Sequence, residues 1–324
     1  MQRLQLVVLD DYEGQMATPP AMARLRELAE VVVLKRPLTP ADHPLLSQTH
    51  VLFAIRERTR LDADFFAACP NLRLVLQSGG HAYHLDKAAA TERGIVVALG
   101  RQIKMPTVAI PELTFGLILS LKRQIHALNA QMAQGAWPTT PMGSSLAGKT
   151  LGILGYGRHG RPVARVAQAF GMKVVAWDRS GKSAPSDDGV QRLPLPDTLA
   201  CADVVSIHLR LSPESTGLIG AAELAQMRSD ALLINTARGA IVDEAALVQA
   251  LQTHTIAGAG LDVFAVEPLP ADSPLRTLLN VVLTPHIGWK TTEIFHEFAA
   301  KAAEQLEAWI NGRLSTSDML NPPV

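Results

Sequence analysis

The chain has 324 residues, which is enough for two domains of ordinary size, each with a hydrophobic core of its own. Its 30 Lys and Arg residues balance 30 Asp and Glu residues, and this even charge argues against nucleic acid or an anionic membrane as a partner. Small-molecule chemistry is therefore the expected class of function.

The first hundred residues predict an α/β domain. Continuous apolar runs occupy 4–9, 31–34, 51–55 and 72–77, and helical patterns such as 20–28 lie between them. Runs of Val, Ile and Leu that alternate with helices are typical of a parallel sheet covered on both faces. We therefore expect a parallel sheet here.

The chain carries no sign of export or of membrane insertion. The apolar core of the N-terminal run is followed at once by acids, which favours a strand over a signal peptide, and no apolar run is long enough to span a bilayer. Cys69 and Cys201 match no metal or redox spacing, so we expect both to be buried, reduced thiols. The sequence predicts a cytoplasmic protein.

A long helix leaves the first domain and an arm follows it. Apolar residues recur at helical spacing over 107–123, where Pro111 and Glu112 suit a first turn. The arm, residues 124–145, mixes a helical pattern with Gly, Pro and Trp137. Exposed apolar surface in such an arm can mark an oligomer interface, although a plain surface loop explains it nearly as well.

A dinucleotide-binding fingerprint comes next. Gly155, Gly157 and Gly160 form a G-x-G-x-x-G between the apolar run 150–154 and a helical pattern, which is the context that this motif requires. The first glycine permits the turn, the second lets backbone N–H groups approach a pyrophosphate, and the third lets the helix pack on the strand. The helix N-terminus adds partial positive charge.

The strand after the fingerprint predicts which dinucleotide is bound. The strand at 173–177 ends in Asp178, 18 residues after Gly160. A carboxylate there can accept hydrogen bonds from the adenosine ribose and would repel a 2′-phosphate, which favours NAD over NADP. Arg179 and Lys182 weaken that preference if they contact the adenosine, and solvated loop cations are an equally good interpretation of both.

Further strands at 204–209, 231–235, 257–263 and 281–284 complete a doubly wound domain. Asp243 is a candidate N-cap for the helix at 243–252. The last helix, 293–311, lies beyond this domain, and we expect it to return to the first domain. The apolar face that it must bury comprises Phe295, Phe298, Ala302, Leu306 and Ile310.

Ligands of open α/β sheets bind outside the carboxyl ends of the strands, where this chain has Arg238, Asp262, Glu267 and His286. A protonated His can donate to the carbonyl oxygen that gains charge during hydride transfer, and a nearby Glu267 would raise the pKa of that His. Arg offers a planar fork for a carboxylate. Each residue also has a structural explanation: Arg238 as a surface cation, Glu267 as a loop acid and His286 as a hydrogen-bonded structural histidine. On these grounds, the catalytic and the structural interpretations of the set stay equally open.

The motifs ILGYGRHG, DVVSIHLRLSPESTGLI, NTARGAIVDEAALVQAL, GLDVFAVEP and LTPHIGW, together with Asp178, resemble those of the D-isomer-specific 2-hydroxyacid dehydrogenases, from about residue 107 to 290. The resemblance implies an NAD(H)-dependent oxidoreductase that interconverts a small D-2-hydroxy acid and its 2-oxo acid. It implies that Arg238 binds the substrate carboxylate and carbonyl, that His286 is the acid–base group, and that Glu267 orients and polarises His286.

The resemblance also implies the ligand contacts. Backbone around Arg158 and His159 would hold the pyrophosphate, Asp178 the ribose, and Asp262 the nicotinamide carboxamide. The NAD-binding set implied in this way is Gly155, Tyr156, Gly157, Arg158, His159, Gly160, Asp178, Arg179, His208, Thr236, Ala237, Arg238, Asp262, His286 and Gly288. The implied substrate-binding set is Ser78, Gly79, Gly80, Arg238 and His286, and no metal site is expected.

The fold implied by the resemblance is a pair of Rossmann- or flavodoxin-like doubly wound parallel-sheet domains. The cofactor domain, 102–290, would be inserted into a split substrate domain made of 1–101 and 291–324. Family members are commonly homodimers through the cofactor domain, which would give the arm a function. No nucleic acid or membrane partner is expected.

The substrate loop departs from the family pattern. The family usually has A-G-x-G-x-D-N-I-D, whereas residues 78–86 read SGGHAYHLD, so that His81 replaces a glycine and Tyr83-His84 replace Asp-Asn. Gly79 and Gly80 can still supply the backbone amides that hold a carboxylate. The larger side chains either repack the loop or change the choice of substrate.

Two other functions remain open. A dinucleotide-sensing protein, like the family's corepressors, would share the fold and many of these residues. Phosphite oxidation on the same fold is compatible with the three residues Arg238, Glu267 and His286, whereas formate oxidation is disfavoured because the family's formate enzymes carry Gln where Glu267 stands.

Overall fold

The structure, a computed structural model, describes residues 3–17, 19–101, 103–177 and 188–322. The chain divides into two compact units. One contains Met1–Met105 and Thr291–Val324, and the other is Pro106–Lys290. The second unit therefore interrupts the first in sequence.

The first unit contains a parallel sheet with the strand order β2-β1-β3-β4-β5. Apart from the edge strand β2, its strands are buried over most of their length, which explains why they read as continuous apolar runs. The elements up to the end of this sheet are β1 (Leu4–Leu9), α1 (Ala21–Leu28), β2 (Ala29–Val33), α2 (His43–Gln48), β3 (Val51–Ala54), α3 (Ala63–Ala67), β4 (Leu74–Gln77), α4 (Lys87–Glu92) and β5 (Val96–Leu99).

The second unit contains a parallel sheet with the order β12-β11-β10-β9-β6-β7-β8. The order reverses between β6 and β9, and such a reversal opens a ligand crevice at the carboxyl ends of the strands. The elements are α5 (Pro106–Lys122), α6 (Ile125–Ala133), β6 (Thr150–Leu154), α7 (Gly160–Ala169), β7 (Lys173–Trp177), β8 (Gln191–Arg192), α8 (Leu195–Cys201), β9 (Val204–Ile207), α9 (Ala221–Gln226), β10 (Leu232–Asn235), α10 (Glu244–Gln252), β11 (Gly258–Leu261) and β12 (Val281–Leu283).

The last helix, α11 (Thr292–Ile310), belongs to the first unit and packs against α1. Its predicted apolar face is buried except at Ile310, which is 45% exposed. The prediction was wrong there because Ile310 is the final residue of the helix. The buried Gln305 ties α11 to the sheet, because its Nε2 donates to the carbonyl of Leu99 at 2.9 Å.

Two other local predictions were wrong. Pro111 lies inside α5 rather than in its first turn, because the helix begins earlier, at Pro106. Cys69 is a buried free thiol, whereas Cys201 is a free but exposed thiol at the last residue of α8. The predicted cap of α10 is confirmed, since the Asp243 side chain accepts from the backbone N–H of Ala246 at 3.1 Å.

Within the described ranges, no helix has the length and apolar character needed to cross a membrane. The cytoplasmic location stays a prediction.

Candidate active site

Three loops leave neighbouring strand ends in the second unit. In the register of this sheet, Asn235 of β10 pairs with Leu261 of β11, and Leu261 pairs with Leu283 of β12. Because the strands are parallel, the loops that follow them start side by side at one edge of the sheet. These loops carry Arg238, Glu267 and His286.

His286 and Glu267 form a hydrogen-bonded pair. His286 Nδ1 lies 2.7 Å from Glu267 Oε2, and Glu267 Oε1 accepts the backbone N–H of Phe264 at 3.0 Å. Burial by itself raises the pKa of Glu267, but these two hydrogen bonds and the charges of His286 and Arg238 outweigh it and lower the pKa below its ordinary value. Glu267 is therefore ionised at neutral pH, and Nδ1 of His286 is the donor.

The Arg238 loop is held by the buried side chain of Asn235, whose hydrogen bonds were not predicted from the sequence. Asn235 Oδ1 accepts the N–H of Ala237 at 3.0 Å, and its Nδ2 donates to the carbonyl of Arg238 at 3.0 Å. Thr236, between them, is buried. The predicted residues 236–238 therefore form one ordered turn at the end of β10.

Gly239 brings this turn against the loop that follows β11. A Cβ atom at Gly239 would lie 1.9 Å from the carbonyl carbon of Phe264, so any side chain is excluded. Phe264 is the residue whose N–H binds Glu267. The loops after β10 and β11 are thus in direct backbone contact, which local sequence patterns did not reveal.

Asp262 faces the loop that carries His286. Its carboxylate accepts the Thr284 hydroxyl at 2.6 Å and the backbone N–H groups of Ile287 and Gly288 at 2.8 Å each. Burial raises the pKa of Asp262 above its ordinary value, although these donors oppose the rise. The resemblance implied a contact between Asp262 and the nicotinamide, and these partners within the protein were not foreseen.

The glycine loop has the geometry that a dinucleotide needs. Gly155 has φ +99°, and a Cβ there would lie 2.8 Å from the backbone of His208; a Cβ at Gly160 would lie 2.2 Å from the carbonyl oxygen of Gly155. A Cβ at Gly157 would meet no atom of the described residues within 4 Å, and this leaves room for a ligand on that side of the described part of the loop. The N-terminus of α7 starts at the same point. These residues fit a bound dinucleotide.

The Tyr156 side chain is buried and engaged by other residues of the protein. The guanidinium carbons of Arg161 and Arg192 lie over its ring, 4.8 and 3.6 Å from the ring centroid. Its hydroxyl donates to Asp188 at 2.5 Å. The ring and hydroxyl of Tyr156 thus contact Arg161, Arg192 and Asp188, and its part in cofactor binding stays a prediction.

His208 lies behind the first glycine of the same loop. Its Nε2 is 2.8 Å from the Ser206 hydroxyl, and burial lowers its pKa to about 3, with a further lowering from the nearby His159. His208 is therefore neutral at physiological pH. Arg158 is exposed beside the loop, whereas Asp178 and Arg179 lie outside the described residues.

In the first unit, the loop after β4 contains the predicted substrate residues, and it contacts a cation from the loop after β3, Arg56, that sequence analysis missed. The Ser78 hydroxyl accepts the N–H of Arg56 at 2.7 Å, and a Cβ at Gly79 would meet Arg56 Nη1 at 2.6 Å. A Cβ at Gly80 would meet no atom of the described chain within 4 Å. Arg56 comes soon after β3, and the carboxyl ends of β3 and β4 lie at the same edge of the sheet. Its position after a strand is the signal from which sequence analysis could have found it.

The unusual residues of this loop divide into two kinds. His81 and Tyr83 stack on each other with ring centroids 5.4 Å apart, and Tyr83 is 59% exposed. His84 is half-buried, both ring nitrogens find no hydrogen-bond partner in the described part of the chain, and burial lowers its pKa. The exposed stack is compatible with both interpretations of the loop, repacking and a changed choice of substrate, and both stay predictions.

Comparison with known proteins agrees with this geometry. The sequence profile of the D-isomer specific 2-hydroxyacid dehydrogenase NAD-binding domain matches residues 115–288. The glyoxylate reductase of Aeropyrum pernix is 38% identical over 307 residues, which is 91% of each chain. The chain belongs to the D-isomer specific 2-hydroxyacid dehydrogenases.

Other members of this dehydrogenase family match as well. The D-3-phosphoglycerate dehydrogenase of Mycobacterium tuberculosis is 38% identical over 260 residues, which is 80% of this chain and 49% of that one. A putative D-3-phosphoglycerate dehydrogenase structure from Ralstonia solanacearum superposes with a TM-score of 0.87 at 31% identity, over 98% of this chain and 97% of that one. Membership confirms the predicted fold class and NAD as the cofactor.

Proposed function

We propose that this dehydrogenase interconverts a small D-2-hydroxy acid and its 2-oxo acid, with His286 as the acid–base group. The observation that carries the proposal is the 2.7 Å hydrogen bond between His286 Nδ1 and Glu267 Oε2 at the strand ends of an NAD-binding domain. A glyoxylate reductase and D-3-phosphoglycerate dehydrogenases among the relatives support an acid of this class.

When NAD is bound, it supplies or accepts the hydride at the carbonyl carbon. Because Glu267 engages Nδ1 of His286, Nε2 is the nitrogen that gives a proton to the substrate oxygen in reduction and takes it back in oxidation. The Glu267 carboxylate fixes this tautomer and stabilises the imidazolium form. Arg238 binds the substrate carboxylate and carbonyl through its planar guanidinium.

The remaining predicted residues are assigned by the same proposal. Gly155, Gly157 and the start of α7 hold the pyrophosphate through backbone N–H groups, and Asp178 binds the ribose. Ser78, Gly79 and Gly80 bind substrate in the first unit, where Arg56 adds a positive charge next to Gly79.

We also propose that the protein is a homodimer through the NAD-binding domain. Trp137 and Met142 in the arm are 82% and 87% exposed, and Leu279 is 91% exposed. Met142 and Leu279 line one cavity of about 300 Å³. Large apolar side chains clustered at a surface cavity are typical of a protein interface, and an isologous interface between two copies is the commonest kind.

The first experiment is NADH oxidation by the purified protein with glyoxylate, hydroxypyruvate, pyruvate, phenylpyruvate and longer branched 2-oxo acids. We expect kcat/KM above about 10⁴ M⁻¹s⁻¹ for at least one of them. Turnover of none, with NADH binding demonstrated in the same preparation, would contradict the proposal and favour a dinucleotide-sensing function.

A further inference from the structure

Asp262 is a fully buried carboxylate directly after β11. Within the described residues, the hydrogen bonds that its carboxylate accepts all come from the segment Thr284–Gly288, here called the His286 loop. We propose that Asp262 is a positioning residue that holds this loop, and with it the imidazole of His286, in place beside Glu267. The inference rests on the proposed function for its effect on rate.

The backbone of the loop needs such support. His286 has φ +53°, in the left-handed region that residues with a side chain adopt only when their surroundings enforce it. The N–H of His286 donates to the carbonyl of Asp262 at 2.9 Å, while the N–H of Asp262 donates to the carbonyl of Asn235 at 3.0 Å. Asp262 is thus fixed to β10 on one side and holds the loop on the other.

Most hydrogen-bond acceptor sites of the Asp262 carboxylate are used by the His286 loop. An ionised carboxylate has about four lone-pair sites, and three of those of Asp262 already accept the hydroxyl of Thr284 and the N–H groups of Ile287 and Gly288. A Cβ at Gly288 would lie 3.0 Å from Oδ2, so the backbone packs directly on the carboxylate. One lone-pair site is left over, so the carboxylate can hold the loop and still accept a hydrogen bond from a ligand.

Two variants weaken the attachment in different ways. Asp262→Asn replaces one acceptor oxygen with an NH₂ group that cannot accept a backbone N–H. Thr284→Val keeps the carboxylate and the shape of the side chain but removes one donor, so it remains informative if Asp262→Asn does not fold. Thr277→Val is the matched control, because it removes only an exposed hydroxyl that donates to the carbonyl of Pro274 at 3.0 Å.

The first readout is hydrogen–deuterium exchange of the Ile287 and Gly288 amides in the cofactor-free protein, which requires no turnover. We expect exchange in Asp262→Asn and Thr284→Val to be at least about tenfold faster than in wild type and in Thr277→Val. The second readout is kinetic. We expect kcat to fall by up to about 100-fold in both variants, because the imidazole is misplaced. The dissociation constant of NADH should stay within about twofold of wild type in Thr284→Val, which leaves the Asp262 carboxylate intact.

Unchanged exchange in both variants would overturn the inference, as would a large loss of NADH affinity in Asp262→Asn with normal exchange, which is the result expected of a cofactor ligand. If the wild-type protein reduces none of the 2-oxo acids, the proposed function fails. The exchange rates and NADH affinities would still decide whether Asp262 holds the loop.

Discussion

At the scale of single residues, the candidate site depends on backbone contacts between loops that are far apart in sequence. Gly239 is the most sensitive of these, because a Cβ there would lie 1.9 Å from the carbonyl carbon of Phe264, whose N–H binds Glu267. Gly239→Ala should displace Glu267 from His286 and lower kcat by about 100-fold in a folded protein. Steady-state kinetics and circular dichroism measure the two effects.

Gly116→Ala is the matched control for Gly239→Ala, since a Cβ at Gly116 in α5 would meet no atom within 4 Å. A wild-type kcat in Gly239→Ala would show that the contact between the two loops does not position Glu267.

Asp178 carries a second prediction at this scale, which is argued from the sequence because the residue lies outside the described ranges. A carboxylate at the ribose would repel a 2′-phosphate, so Asp178→Ala should reduce the preference for NADH over NADPH in kcat/KM. An unchanged ratio would count against Asp178 as the group that selects NAD.

The sequence could foresee where candidate site residues lie when their placement follows from a position after a strand. Arg238, Glu267 and His286 each follow a predicted strand of one parallel sheet, and that position was enough to bring them to one edge. The hydrogen bonds of Asn235 and the close contact at Gly239 could not be foreseen, because each depends on how one loop packs on another.

At the scale of elements, apolar runs predicted the central strands well because both sheets are parallel and these strands are buried, whereas the short edge strand β8 has no apolar run and was not predicted. The end of a helix is harder to predict from periodicity. Ile310 continues the apolar pattern of α11 but is exposed at its last residue, and Cys201 is exposed at the last residue of α8. The start of a helix is marked by a capping side chain that can be recognised locally, which is why the Asp243 cap of α10 could be predicted.

The start of α2 carries a prediction about pH. Asp42 accepts two hydrogen bonds from the Arg36 guanidinium, at 2.7 and 2.8 Å, and one from the N–H of Thr39 at 2.7 Å. Arg36 and Thr39 hold the pKa of Asp42 well below its ordinary value of 3.8. A depressed pKa in the folded state means that Asp42 contributes stability above about pH 4, and that the contribution is lost as the pH falls below that value.

Asp42→Asn should therefore lower the melting temperature by a few degrees at pH 7, and the difference from wild type should shrink at pH 3. Because Arg36 is half-exposed, added salt should also reduce the difference. Thermal unfolding at both pH values measures the effect. A difference that does not change between pH 7 and pH 3 would mean that the charge of Asp42 is unimportant.

At the scale of the whole molecule, the proposed dimer predicts that association depends on the arm and its neighbours. Wild-type protein should sediment as a dimer, and Met142→Ser combined with Leu279→Ser should shift it toward the monomer, because both exposed side chains line the same cavity. Ile310→Ser replaces an exposed apolar residue of the first unit and should leave association unchanged. A monomeric wild type would contradict the dimer.

The central claim is that His286 is the acid–base group of a 2-oxo acid reductase, and His286→Ala tests it most directly. The measurement is kcat with the best 2-oxo acid, together with the dissociation constant of NADH. Removal of a general acid should lower kcat by at least about 100-fold, while NADH affinity stays close to that of wild type because the glycine loop is untouched. A His286→Ala protein that retains the wild-type kcat would contradict the assignment.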